Sequence, residues 1–151
     1  MTWMKSLFGR LGVILVVIGF TIFSYAEVWG ADWKLYAESD FANYYYDAED
    51  IVRPSENIVR VWIRTLYTEK GVNQWKAKKF KNVVQKFRYE NLSNSTNLWE
   101  INCAKKMHQI LSSTFYNKDG SVIESYNFDR ADWIFIRPDS PGESLYKAVC
   151  K

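Results

Sequence analysis

Apolar and polar residues alternate with period two along much of the chain, a pattern that predicts β-strands. The clearest case is Val59-Arg60-Val61-Trp62-Ile63-Arg64, where Val59, Val61 and Ile63 share one face and Arg60, Trp62 and Arg64 the other. One packed face and one wetter face is what an antiparallel sheet allows. Trp33–Ala37 alternates in the same way, Tyr44-Tyr45-Tyr46 suits a pleated surface, and Leu98–Cys103 puts Trp99, Ile101 and Cys103 on one side. Ile110–Tyr116 predicts a further strand. Asn117-Lys118-Asp119-Gly120 then forms a turn in which Gly120 supplies the positive φ, and Ser121–Tyr126 returns alongside. Trp133-Ile134-Phe135-Ile136 predicts a short apolar strand that Pro138 ends. Asn91–Asn97 lacks apolar alternation and reads as a polar loop, with sequons at Asn91-Leu92-Ser93 and Asn94-Ser95-Thr96.

Two segments follow the helical period instead. Ser140-Pro141-Gly142-Glu143 is a capping box with proline at the first helical position. It predicts a helix from Pro141 to about Cys150, with Leu145 and Val149 on one stripe and Tyr146 and Cys150 on the next. Residues 72–88 are rich in Lys, Gln and Ala, with Trp75, Phe80, Val83, Val84 and Phe87 as a loose apolar stripe. The stripe is imperfect, because Lys79 falls where an apolar residue is wanted. The fold class is therefore α+β: an antiparallel sheet, a C-terminal helix and a basic helical segment near 72–88.

The first residues follow neither period. Lys5 and Arg10 precede the unbroken apolar run Leu11–Phe23, and Ser24-Tyr25-Ala26 follows with small residues at both ends. This order is that of a cleavable secretory signal over 1–26, with Val28-Trp29-Gly30 as a second processing site. The apolar run is shorter than the roughly 20 residues a transmembrane helix needs, so no stable membrane anchor is expected. With no linker or repeat beyond it, residues 31–151 make one exported domain, placed in the periplasm, at the outer surface or outside the cell. No cysteine near the cleavage region offers a lipid-attachment site.

Export changes the meaning of the two cysteines. Outside the reducing cytosol, Cys103 and Cys150 are expected to be oxidised to a disulfide. It closes a loop of 48 residues, for which loop entropy gives about 4 kcal/mol. Export also changes the charge balance. The whole chain has a formal charge of +3, but residues 1–26 hold two basic residues and no acid, leaving 18 basic against 17 acidic residues. Whole-molecule charge therefore names no partner, and nucleic acid is not expected.

Local charge says more. Lys70, Lys76, Lys78, Lys79, Lys81, Lys86 and Arg88 fall within 19 residues that contain no acid, with Trp75, Phe80 and Phe87 interleaved. Such a block makes a positive field able to attract polyanions or anionic membranes; the plainer alternative is a solvated helix face balanced by the acidic stretch Glu38, Asp40, Asp47, Glu49 and Asp50. Arg60, Trp62 and Arg64 form a second candidate surface, as a row of cations around an indole, with ordinary exposed-face decoration as its alternative.

Catalytic chemistry is poorly represented. There is one histidine, His108, and neither a P-loop, G-x-G-x-x-G, G-x-S-x-G, H-E-x-x-H nor C-x-x-C motif. Asp47-Ala48-Glu49-Asp50 lacks the spacing and glycine of a calcium loop. No enzyme activity, metal or cofactor is expected. A hydrolase using His108 or the acidic stretch is the weakest of three readings, behind a binding module and a structural component of the envelope.

In order, Tyr44-Tyr45-Tyr46-Asp47, Ile51, Val61-Trp62, Ile101-Asn102-Cys103, Tyr116, Gly120, Trp133, Ile136, Pro138, Ser140 and Cys150 resemble the surface-adhesin protein E family from Trp33 to Cys150. The resemblance implies about six antiparallel strands and a C-terminal helix tied to the sheet by a disulfide. It also implies a bacterial surface protein that binds host matrix and plasma proteins and forms homodimers. A basic stretch shortly before the mid-chain cysteine serves one ligand in the founding member, and Lys86 and Arg88 sit in a comparable place. The function expected is an exported, non-enzymatic binding protein for protein or polyanionic ligands, with an envelope assembly component as the alternative.

Overall fold

The computed structural model describes residues 30–79 and 88–151. The expected signal over 1–26 lies outside the described residues, as do residues 80–87 of the expected basic helix. The described elements, in chain order, are β1 (Trp33–Glu38), β2 (Ala42–Asp47), β3 (Val52–Ser55), β4 (Ile58–Tyr67), α1 (Glu69–Lys79), β5 (Leu92–Asn102), β6 (Met107–Asn117), β7 (Val122–Asn127), β8 (Ile134–Phe135) and α2 (Pro141–Val149).

The strands form one antiparallel sheet in the order β1-β2-β4-β5-β6-β7. Two short strands lie off this path: β3 pairs with β4 at Val52↔Arg60 and Ser55↔Ile58, and β8 pairs with β6 at Met107↔Phe135 and His108↔Ile134. The sheet thus has eight strands where about six were expected. The extra β3 is exposed at all four positions and contains Pro54, so burial left no alternation in its sequence.

The sequence pattern of β4 is realised directly. Val59, Val61 and Ile63 are buried, and β5 sets Ile101 opposite Val59 and Trp99 opposite Val61. Leu145 and Val149 of α2 and Ile136 complete this core. The Cys103–Cys150 disulfide, with a Cα–Cα distance of 5.6 Å, ties the end of α2 to the residue that follows β5. Arg53 of β3 donates to the Val149 carbonyl at 2.9 Å, satisfying an end group that the helix itself leaves unpaired.

A second, smaller core lies at the other end of the same face. There Val72 of α1 packs with Tyr89 and Leu92, and Tyr67, Trp75, Phe115 and Ile123 surround them. Gly71 lets α1 approach β2, since a Cβ there would sit 1.8 Å from the Phe41 carbonyl oxygen. Both helices therefore cover one face of the sheet, α2 over one end and α1 over the other.

Between the two cores runs a polar seam. Ser113 Oγ donates to Asn97 Oδ1 at 2.7 Å, Asn97 Nδ2 reaches Ser95 Oγ at 3.3 Å, and Ser95 Oγ lies 3.0 Å from Tyr67 OH. Burial raises the Tyr67 pKa, opposed by that hydrogen bond with Ser95 and assisted by Tyr44. The seam corrects the reading of Asn91–Asn97 as a loop. From Leu92 onward this segment is β5, paired with β4 on one side and β6 on the other. Leu92 enters the second core, but the next inward-facing positions are the polar Ser95 and Asn97, which are satisfied by Tyr67, Ser113 and one another, so no apolar alternation marked it.

Two smaller expectations change as well. The apolar strand at 133–136 shrinks to Ile134–Phe135, which are 54% and 58% exposed, while Ile136 alone enters the core. In the capping box, Ser140 Oγ accepts from the Glu143 N–H at 3.3 Å, as expected. Glu143, however, reaches past the cap and accepts from the Asp139 N–H at 3.0 Å.

Candidate functional site

With both helices on one face, the even-numbered side chains of β4 point to the other. Among the described residues no helix lies over this second face. Strand pairing places Arg60 opposite Glu100, Trp62 opposite Leu98, Arg64 opposite Thr96 and Leu66 opposite Asn94. Next on β6 come Gln109, Ser112, Thr114 and Tyr116. The Arg60-Trp62-Arg64 row therefore exists as a strip of one sheet face.

Its members are not equivalent. Arg60 Nε is held 2.5 Å from Glu100 Oε2, and Glu100 is 93% buried, its other oxygen accepting from Gln109 Nε2 at 2.7 Å. Arg60 is thereby a structural counter-ion for a buried carboxylate. Arg64 has no carboxylate within ion-pair distance among the described residues. Its guanidinium lies 4.4 Å above the ring of Trp33, from the edge strand β1. Its Nε is buried and has no hydrogen-bond partner among the described residues. Trp62, half-buried, stands between the two arginines.

Beside Arg64 the face opens into a cleft of about 340 Å³ lined by Arg64, Leu66, Asn94, Thr96, Tyr116 and Gly120. Gly120, at φ +84°, is the positive-φ residue of the β6–β7 turn, where its N–H donates to the Asn117 carbonyl at 3.0 Å. Sequence reasoning located Arg64 but missed Trp33, Asn94, Thr96 and Tyr116 as its surroundings. Trp33 was legible as a strand residue, but its partner depends on the β1-β2-β4 register.

The model of the surface-adhesin protein E family matches residues 33–151. The chain belongs to that family. No curated protein matches the sequence. A solved structure, crystal form II of Haemophilus influenzae protein E, is similar at 14% identity over 76% of this chain and 91% of that one, with a TM-score of 0.46. At that score the likeness adds nothing to the family assignment.

The other candidate surface of this adhesin-family chain, the basic block, is partly neutralised. Lys70 pairs with Asp40 at 2.7 Å, Lys76 with Glu90 at 3.0 Å, and Arg88 with Glu124 at 3.6 Å. The hydrogen bond from Lys70 lowers the Asp40 pKa. Lys78 is exposed and lines a groove of about 380 Å³ with Phe41, Tyr44, Tyr67 and Trp75. Lys79 closes α1, and Lys81 and Lys86 lie outside the described residues. The acidic stretch is divided too: Asp40 serves Lys70, while buried Asp47 accepts from the N–H groups of Asp32 and Glu49 to shape the turn after β2.

His108, the one histidine, stacks on Trp99 with ring centroids 4.1 Å apart and planes 9° from parallel. Its Nδ1 is buried without a partner among the described residues, and burial lowers the His108 pKa. Among the described residues no group of His, Cys, Asp and Glu has a metal-holding arrangement, and no helix is long and apolar enough to cross a membrane.

Proposed function

We propose that this chain is an exported, non-enzymatic surface-binding protein that engages protein or polyanionic ligands through the sheet face that α1 and α2 leave bare. The supporting observation is the division of labour between the two faces. One carries α1, α2 and both hydrophobic cores. The other presents Trp62, Arg64 and a cleft, with Arg64 lacking a carboxylate counter-ion among the described residues. Membership of a surface-adhesin family supports the same reading.

The basic block is a secondary contact in this scheme. Three of its cations already have acidic partners, so it adds long-range attraction more than a shaped site. Binding to heparin and to extracellular-matrix proteins, titrated with salt, tests the proposal. Trp62→Ala and Arg64→Gln should weaken binding at every salt concentration, whereas Lys78→Glu should act mainly at low salt. Binding that is absent, or that survives both sheet-face changes, would count against the proposal.

A second reading, assembly with another copy in the envelope, is favoured by the sheet edge at β7 and β8. Tyr126, Phe128, Trp133, Ile134 and Phe135 are all exposed there, between 37% and 58%. Apolar groups gathered in this way mark contact surfaces more often than solvent. Light scattering at high concentration separates the readings, because a strict monomer excludes self-assembly.

A further inference from the structure

We infer that the Arg64 cleft is a subsite for a carboxylate-bearing sugar, such as a uronic or sialic acid residue. The inference rests on the reading of the bare face as the ligand face and names the chemistry of one part of it.

Four features lead to this ligand class. First, Arg64 is a prepositioned cation. Its contact with the Trp33 ring, 4.4 Å from Cζ to the ring centroid, restrains the guanidinium, so less freedom is lost when a ligand binds. Neighbouring Arg60 is committed to Glu100 at 2.5 Å, whereas Arg64 has no acidic partner among the described residues. A planar fork of N–H donors matches a planar carboxylate.

Second, among the described residues Arg64 is the one charged residue lining the cleft. A phosphomonoester, with a charge of about −1.5 to −2 near neutral pH, calls for more positive charge than one arginine supplies. A single negative charge fits.

Third, the remaining polar groups are neutral and loosely engaged. Thr96 Oγ1 and Tyr116 OH are 3.4 Å apart, and Asn94 Nδ2 lies 3.4 Å from Ser93 Oγ. These are long for hydrogen bonds, so an amide and two hydroxyls keep donor and acceptor capacity for a ligand rich in hydroxyl groups.

Fourth, the cleft has apolar surface beside the polar groups. Leu66, 38% exposed, and Tyr116 both line it. A sugar ring has both C–H faces and hydroxyl edges, and so uses both kinds of wall. The volume of about 340 Å³ is that of a small ligand pocket.

The test is ¹H–¹⁵N chemical-shift titration of the mature protein with glucuronate, N-acetylneuraminate, glucose, acetate, N-acetylglutamate amide and inorganic phosphate. The acidic sugars should shift Arg64, Asn94, Thr96 and Tyr116 together and change Trp33 fluorescence. Glucose and acetate should bind at least tenfold more weakly, each having half of the recognised chemistry. Arg64→Gln should reduce acidic-sugar affinity at least tenfold, and Arg64→Lys severalfold, because charge survives but the fork does not. Thr96→Val should weaken the sugars and leave acetate unchanged.

Unmoved cleft resonances at saturating glucuronate and N-acetylneuraminate would overturn the inference. So would equal binding of phosphate, which makes the cleft a general anion site, or of N-acetylglutamate amide, which makes it a peptide site. If matrix or heparin binding still depends on Trp62 in that event, the sheet-face reading survives and the sugar subsite alone falls. If neither depends on this face, both fall.

Discussion

Lys106 Nζ lies 2.6 Å from Glu143 Oε1, joining the β5–β6 turn to the first turn of α2. The same carboxylate accepts from the Asp139 N–H and lies 3.4 Å from Lys147 Nζ. The Lys106 hydrogen bond, followed by the Asp139 N–H, lowers the Glu143 pKa from 4.5 to about 2. A carboxyl whose pKa falls on folding stabilises the folded state above its unfolded value, and that contribution is lost as pH drops through the folded value. Stability from Glu143 should therefore be complete above about pH 4.5 and disappear toward pH 2. Denaturant unfolding between pH 6 and 2 should show a shallower acid limb in Glu143→Gln than in the parent protein; parallel limbs would exclude this role.

The disulfide is predicted to account for a large share of stability. Replacing both Cys103 and Cys150 by alanine should cost about 2–5 kcal/mol, the usual range for a native bridge in a small domain. The comparison is denaturant unfolding of parent and variant without reductant. A loss near zero would show that Leu145 and Val149 hold α2 by packing alone.

Packing around α2 and β8 gives opposite expectations for two apolar residues. Leu145 has 0% exposure, so Leu145→Ala should destabilise by about 2–5 kcal/mol. Ile134 is 54% exposed, so Ile134→Ala should change monomer stability by no more than about 0.5 kcal/mol. A large loss at Ile134 that depends on protein concentration would instead indicate a covered edge.

Gly71 supplies a steric prediction. A Cβ would meet the Phe41 backbone, which cannot swing aside as a side chain can. Gly71→Ala should lower stability by about 1–3 kcal/mol despite its better helix propensity. Thermal unfolding beside Ala77→Gly, an exposed change in the same helix, separates the clash from propensity.

The elements legible in the sequence are those with one wet and one dry face. In β4, Val59, Val61 and Ile63 alternate with Arg60, Trp62 and Arg64, and both faces emerge as read. For α2, the Ser140 cap, Pro141 and the Leu145–Val149 stripe fix start and orientation. The first half of β5 was hidden because Ser95 and Asn97 satisfy buried polarity with Tyr67 and Ser113, partners from other strands. The candidate site was half legible for a similar reason. Arg60 and Arg64 look alike along the chain, and only the register reveals that one faces Glu100 and the other stacks on Trp33.

The proposed division of the sheet into a packed face and a ligand face is tested most directly by mapping a bound heparin oligosaccharide onto residues 31–151 through ¹H–¹⁵N shift changes. The account predicts changes centred on Trp62, Arg64, Thr96 and Tyr116, with α2 and the Val59–Val61–Ile63 core silent. Changes centred on α2 or on the β7–β8 edge, with the Arg64 strip unmoved, would contradict it.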